Sequence, residues 1–328
     1  MIDLFLVTIL LPSLVGSYEY DKGPVSHPAR CPGLYCGRQL LQNGNWSSCG
    51  ACPRGYRRGK DFDSECVLCQ HRPQFYDWMY LSFMALVALV MHWFCIDTAA
   101  KRRSFCKEVL ILHLSAFVEI TTASVITLLL VEPRGEFSIR SCKAEHLSDW
   151  YTLFHNPNPN YEETLHCTQE AVFPLYTMVF IFFALCVVVM LAIRPWLAGR
   201  FLPKQGKMSI YAALYFFPIL ALIQAVLGGL IYYSFPYIVI ILSVLSNAAH
   251  FAFKLNQSMK SLIVTTFTDV RNVVILVGHW ALHAYGIVAI TQLQQPAFHG
   301  SLIALVPLPA AFYILTARFT DPRKLHTD

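Results

Sequence analysis

Charge is what this sequence has least of. Asp, Glu, Lys and Arg make up only 14% of its 328 residues, against about 25% in an ordinary soluble domain. That argues against intrinsic disorder and against a typical cytosolic enzyme. The net charge of +5 is too small for a nucleic-acid footprint. No nucleophile elbow, P-loop or His-Glu-x-x-His motif occurs, so the common routes to a catalytic assignment are closed. What the sequence has instead is apolar length: 55% hydrophobic residues and a mean hydropathy of +0.47.

Seven segments are long and apolar enough for the roughly 20 residues of helix that a bilayer requires. They are Tyr76–Ile96, Val109–Val131, Val172–Ile193, Ile210–Tyr233, Tyr237–Phe253, Val273–Ile290 and Phe298–Ala317. Asp269 and Arg271 argue against starting the sixth near Leu262. Pro218 and Pro307 lie inside spans, where neighbouring helices tolerate a kink. Ser234-Phe235-Pro236 reads as a tight turn between spans four and five. The expected fold is therefore an all-α polytopic membrane protein of about seven transmembrane helices, occupying 76–317, with a small N-terminal lumenal disulfide-rich module.

Orientation follows from Lys and Arg in the short loops. With the N-terminus outside, one face collects Lys101, Arg102, Arg103, Lys107, Arg194, Arg200, Lys204, Lys207, Lys254, Lys260, Arg271, Arg318, Arg323 and Lys324. The other collects Arg134, Arg140 and Lys143. Fourteen against three places the N-terminus in the lumen and the tail 318–328 in the cytosol. Residues 1–17 resemble a signal peptide: Ile2–Val15 is a short apolar run, and Val15-Gly16-Ser17 offers small residues for cleavage. There is no basic start, and Asp3 sits near the beginning, so an uncleaved anchor is the alternative.

The segment 18–75 carries six cysteines: Cys31, Cys36, Cys49, Cys52, Cys66 and Cys69. The last four read C-x2-C-x13-C-x2-C, which in a reducing compartment would be a zinc knuckle pair. In an oxidising one they become disulfides. The signal-like start, the even count of six, the glycosylation sequon at Asn45-Trp46-Ser47 and the scarcity of core-sized hydrophobes favour disulfides. Their pairing stays open, because six cysteines allow 15 connectivities. Cys142 and Cys167 share the lumenal loop 132–171, which is too long to be a mere connector, and are expected to bond to each other. Cys95 and Cys186 read as packing residues and Cys106 as a weak palmitoylation candidate.

Ionisable residues inside spans are functional candidates by default. Here they are His92, His113, Glu119, His279 and His283. Helical rise puts Glu119 and His283 near the midplane, so the two are expected to meet. His279 and His283 are four apart and share a face. One reading is a metal site with Glu119 as base or ligand, loosely resembling seven-helix hydrolases of the ceramidase and adiponectin-receptor type. The other, favoured here, is interhelical hydrogen bonding with no metal, no cofactor and no catalytic residue. Ion or substrate transport is a third. Gly228-Gly229 and the aromatic run Tyr211–Phe217 read as close helix packing.

Long runs also resemble a known family. They include Gly33-Leu34-Tyr35-Cys36-Gly37, Cys49-Gly50-Ala51-Cys52-Pro53-Arg54-Gly55, Leu147-Ser148-Asp149-Trp150-Tyr151-Thr152, Ser209–Pro218 and His279–Gly286. The chain is similar to the Jun-kinase-associated membrane protein (JAMP) family from about Cys31 to Pro322. The resemblance implies a multi-pass protein of the endoplasmic reticulum membrane, also found at the cell surface. It implies an adaptor for the proteasome and for ER-associated degradation factors in the unfolded protein response, and a modulator of Jun-kinase signalling. It carries no catalytic residues. Of a basic-hydrophobic kinase-docking motif the tail holds only the fragment Arg323-Lys324-Leu325.

Overall fold

The computed structural model describes residues 30–31, 35–59, 64–100, 107–144, 146–150, 167, 174–201, 206–254, 256–317 and 319. The expected signal segment 1–17, Cys106, Lys204 and the kinase-docking fragment 323–325 lie outside them. The chain divides into two units. Met1–Cys69 with Tyr151–Ala171 forms the first, and Gln70–Trp150 with Val172–Asp328 forms the second.

The first unit has too few large apolar side chains for a conventional core, and its buried cluster is made of sulfur: Cys31, Cys36 and Cys167, with Cys49 against them. Two short antiparallel ladders frame it. β1 (Cys36–Gly37) pairs with β2 (Gly50–Ala51), and β3 (Tyr56–Arg58) pairs with β4 (Cys66–Leu68). Covalent bonds then fix what the ladders cannot. Cys31 bonds Cys49, Cys52 bonds Cys66, and Cys36 bonds Cys167. Cys69 and Cys142 are also disulfide-bonded. Cys49 and Cys52 thus belong to separate bridges, which excludes a zinc knuckle built on that pair. The expected Cys142–Cys167 bridge is corrected, since Cys167 closes on Cys36, 131 residues away in sequence. Proximity along one loop favoured the local pair, but strand β1 carries Cys36 to the buried position where Cys167 lies. Asn45 is exposed at a turn held by the Leu41 amide on the Asn45 carbonyl.

The second unit is helical. Its elements are α1 (Phe75–Ala100), α2 (Lys107–Leu130), α3 (Leu175–Phe201), α4 (Gly206–Ala252), α5 (Met259–Thr268), α6 (Val270–Thr291), α7 (Pro296–Ile303) and α8 (Leu308–Thr316). Six stretches among the described residues are long and apolar enough to cross a membrane: α1, α2, α3, α4, α6 and the α7–α8 stretch. Spans four and five of the sequence reading are one 47-residue helix, α4. At 1.5 Å per residue it is about 70 Å long, more than twice the ~30 Å hydrocarbon layer.

The expected turn at Ser234-Phe235-Pro236 is corrected to continuous helix, for a local reason. Pro236 has no amide to donate to the Tyr232 carbonyl. The Tyr76 hydroxyl of α1 donates to that carbonyl instead, at 2.7 Å. Phe235 is fully buried against Tyr76, Tyr80 and Phe83. On the other side Gly286 of α6 packs so closely that an added Cβ would lie 3.0 Å from the Pro236 carbonyl oxygen and 2.5 Å from Ile240 Cγ1. The proline is therefore clamped between two helices rather than left to break its own.

Asp269 ends α5 and starts α6. Its carboxylate accepts the Arg271 amide at 3.0 Å, an N-cap that satisfies one orphan donor of the new helix. Phe251, Leu262, Leu276, Ala310 and Ala317 then bury a second apolar cluster that joins the end of α4 to α5, α6 and α8. The last span is broken before Pro307, which caps α8.

Gly37 supplies a test of the sulfur core. A Cβ there would lie 2.5 Å from Cys52 Sγ and 2.6 Å from Cys66 Sγ. Gly37→Ala is expected to displace the Cys52–Cys66 bridge. Non-reducing peptide mapping should find that bridge scrambled or partly reduced in the variant, with the helical content of the membrane unit unchanged.

Candidate functional site

The polar centre of the helical unit is assembled from three helices. α3 contributes Arg194, α2 contributes Glu119 and Ser115, and α1 contributes His92. Arg194, Glu119 and His92 are each 0% exposed. Helical rise puts Arg194 about 10 Å from the end of α3, His92 about 12 Å from the end of α1 and Glu119 about 18 Å from the start of α2, and the long Arg194 side chain joins them into one layer.

The contacts saturate the charges. Arg194 Nε donates to Glu119 Oε1 at 3.2 Å, and Nη2 donates to Oε2, giving a two-pronged ion pair. The Ser115 hydroxyl donates to Glu119 Oε1 at 2.6 Å from one turn away on the same helix. Arg194 Nη1 lies 2.8 Å from His92 Nδ1. A guanidinium has no acceptor, so His92 accepts at Nδ1 and is the neutral tautomer protonated at Nε2. Phe216 and Phe217 of α4 close the layer, with ring centroids 5.1 and 5.3 Å from the imidazole. The buried Cys186 of α3 packs in the same interior.

The expected meeting of Glu119 with His283 is corrected by these bonds: the carboxylate is occupied by Arg194 and Ser115. Hydropathy alone leaves Arg194 in a cytosolic loop, and the structure corrects this. The apolar run of span three stops at Ile193, but the helix continues through Pro195 to Phe201 and carries Arg194 inward. The signal was available in Glu119, since a carboxylate inside a span requires a countercharge within reach.

The other candidates lie elsewhere. His113 hydrogen-bonds the Val109 carbonyl through Nδ1 at 2.8 Å and faces Asp97 through Nε2 at 3.2 Å, tying α2 to the end of α1. Trp93 Nε1 donates to the His113 carbonyl at 3.1 Å and reinforces that joint. His279 lies beside His250 of α4, ring centroids 6.3 Å apart, a neighbour that reading the spans one at a time does not reveal. His283 is half-buried on α6. Just past α4, Lys254 donates to Thr266 Oγ1 at 3.0 Å and sits 5.2 Å from the Phe251 ring centroid. Burial holds its ammonium below the usual lysine range, and Asp269 pulls the other way. Among the described residues no three His, Cys, Asp or Glu side chains converge into a group able to hold a metal.

A second polar layer marks the start of α1. Tyr232 donates to Asp77 Oδ1 at 2.5 Å, Tyr80 donates to Gln224 Oε1 at 3.0 Å, and Tyr76, Tyr80, Trp150 and Tyr232 form edge-on and tilted ring pairs. Both layers join α4 to the helices around it. The one hydroxyl that meets a carboxylate in the first layer, Ser115, shares Glu119 with the Arg194 guanidinium, which already holds that carboxylate as an ion pair.

The ion pair predicts a characteristic mutational pattern. Removing one partner leaves a buried, uncompensated charge, which typically costs about 3–5 kcal/mol, whereas replacing both by apolar residues is often close to neutral. Arg194→Met and Glu119→Gln are each expected to lower the thermal midpoint of the detergent-solubilised chain. Arg194→Met combined with Glu119→Leu is expected to recover most of the loss. Tryptophan fluorescence melts of the three variants measure this directly. Equal losses in the single and double variants would show that the pair is not the stabilising unit.

Comparison with known proteins adds identity to this geometry. No solved structure matches the chain. A family profile described as JNK1/MAPK8-associated membrane protein matches residues 31–322. The mouse and human proteins of that name are each 45% identical over 303 residues, covering 90% of this chain and 95% of theirs. A Caenorhabditis elegans homologue is 33% identical over 314 residues, covering 94% of this chain and 91% of its own. At that identity and coverage, the chain belongs to the JNK1/MAPK8-associated membrane protein family.

Proposed function

We propose that this protein is a membrane adaptor of the endoplasmic reticulum. It would bring the proteasome and ER-associated degradation factors to the membrane during unfolded-protein stress and modulate Jun-kinase signalling. The observation that carries the non-catalytic part is the closed polar centre: Glu119 is bonded to both Arg194 and Ser115, and all three are buried, leaving that carboxylate no open position for a substrate atom. Support for the kinase link comes from the relatives, which are named for association with JNK1/MAPK8. The degradation partners rest on the family resemblance.

In this reading the module 18–75 is lumenal and Asn45 carries a glycan, since disulfides and sequon use both belong to an oxidising compartment. The basic loops 101–107 and 200–207 then face the cytosol. Arg194 no longer counts among their charges, because it is buried in the bundle. The cytosolic tail expected from seven spans needs two crossings between 206 and 252, which α4, continuous through Pro236, does not make; with one crossing there, the six apolar stretches put the tail on the lumenal side.

Partners must use the cytosolic loops, so replacing 101–107 and 200–207 together by neutral linkers is expected to abolish co-purification of proteasome subunits and Jun kinase at unchanged expression. Retained co-purification would overturn the adaptor surface. Zinc or iron at stoichiometric level in purified protein, lost together with a measurable hydrolase activity in Glu119→Gln, would favour the intramembrane hydrolase instead.

A further inference from the structure

A groove open on one side lies where α1, α2 and α3 meet, away from the Arg194 layer. It encloses about 240 Å³, and its walls include Trp78, Ser82 and Ala85 of α1, Ser124 and Thr127 of α2, and Phe182 of α3. All three helices are membrane-spanning in length and composition. We propose that the groove is a binding site for a single acyl chain of a bilayer phospholipid, from the leaflet on the side where α1 begins.

Four features identify the occupant. The first is depth. Phe75 to Ala85 spans about 15 Å of helix, half of the ~30 Å hydrocarbon core and so the thickness of one leaflet. The walls from α2 and α3 lie within the same depth, since Ser124 is six residues from the end of α2 and Phe182 seven from the start of α3.

The second is polarity. The groove contains three hydroxyls, and each already has an acceptor. Ser82 donates to the Met79 carbonyl and contacts the Tyr285 hydroxyl, Ser124 donates to the Ile120 carbonyl, and Thr127 donates to the Ala123 carbonyl. With those demands met, the hydroxyls offer no spare proton to a water or a polar ligand, and the remaining polar group of the wall, the Trp78 indole, stands at the rim. An empty apolar space of this size would leave its lining without dispersion partners.

The third is the rim. Trp78 is 39% exposed at the first turn of α1, the level at which an indole lies beside lipid headgroups. The fourth is calibre. At the ~30 Å³ that a water takes in the liquid, 240 Å³ holds roughly eight methylene-sized groups. That suits one slender chain and is too small for a fused-ring sterol. Met84 and Met178, also in the wall, let the lining adapt to such a chain.

The test uses the full chain reconstituted in phosphatidylcholine vesicles carrying a phosphatidylcholine with a photoreactive diazirine on its acyl chain. Crosslinked residues are mapped by mass spectrometry. Labelling is expected to concentrate on groove residues over Val188 and Leu191, which are lipid-accessible on α3. Ala85→Phe fills the groove from α1 and is expected to reduce groove labelling about tenfold while leaving the α3 controls unchanged. Ser124→Phe fills it from the opposite wall and serves the same purpose if Ala85→Phe does not fold. A monodisperse elution profile establishes that each variant is folded. Groove labelling no stronger than at Val188 overturns the site, as does labelling unaffected by whichever variants fold. Preferential labelling by a diazirine sterol in a parallel vesicle overturns the acyl-chain assignment.

Discussion

One ion pair, Arg194 with Glu119, sets the conditions for the rest of the helical unit. A charged side chain in the hydrocarbon layer is costly, and a partner is useful only if its geometry satisfies both groups. Here the guanidinium meets both carboxylate oxygens and the His92 ring, while Ser115 takes another carboxylate lone pair. These contacts fix the rotation of α1, α2 and α3 relative to one another, because turning α2 or α3 would part Glu119 from Arg194 and turning α1 would withdraw the His92 acceptor from the guanidinium. Phe216 and Phe217 then seal the layer from α4. A layer whose charges are paired this closely holds α1, α2 and α3 in register, and leaves His92 Nε2 as a buried donor without a partner among the described residues.

The long helix α4 depends on a similar substitution of donors. Pro236 frees the Tyr232 carbonyl, and the Tyr76 hydroxyl of α1 takes it. Pro307, by contrast, follows a turn and opens α8. Two prolines in apolar runs thus have opposite outcomes. The difference lies in a half-buried hydroxyl within reach of the freed carbonyl and in Gly286, which allows α6 to lie against the same turn.

The cysteine unit follows another logic. With few hydrophobes to bury, it is held by covalent closure of chain segments far apart in sequence. Gly37 is bare because sulfur from the Cys52–Cys66 bridge fills the space where its side chain would be. Arg38 Nε points at Cys31 and Cys49 sulfur, 3.4 and 3.3 Å away, packing the other face of the cluster.

Much of this architecture is legible in the chain alone. Apolar length specifies helices that cross a membrane, and six cysteines in a hydrophobe-poor segment specify a disulfide module. A carboxylate and histidines inside spans mark where the bundle must compensate charge. Long exact runs specify the family, because they cover the cysteines, loops and span ends together. What only the tertiary structure decided is who meets whom. Hydropathy ended span three at Ile193 and so left Arg194 outside, but a helix continues past its apolar run when a buried carboxylate awaits its next residue. Hydropathy also counted two spans where one helix runs through Pro236, because the donor that rescues it lies 156 residues earlier, in Tyr76. Cys167 chose Cys36 over the nearby Cys142 for the same reason. Local pattern determines what each segment is, and partners distant in sequence determine where its polar groups and sulfurs find satisfaction.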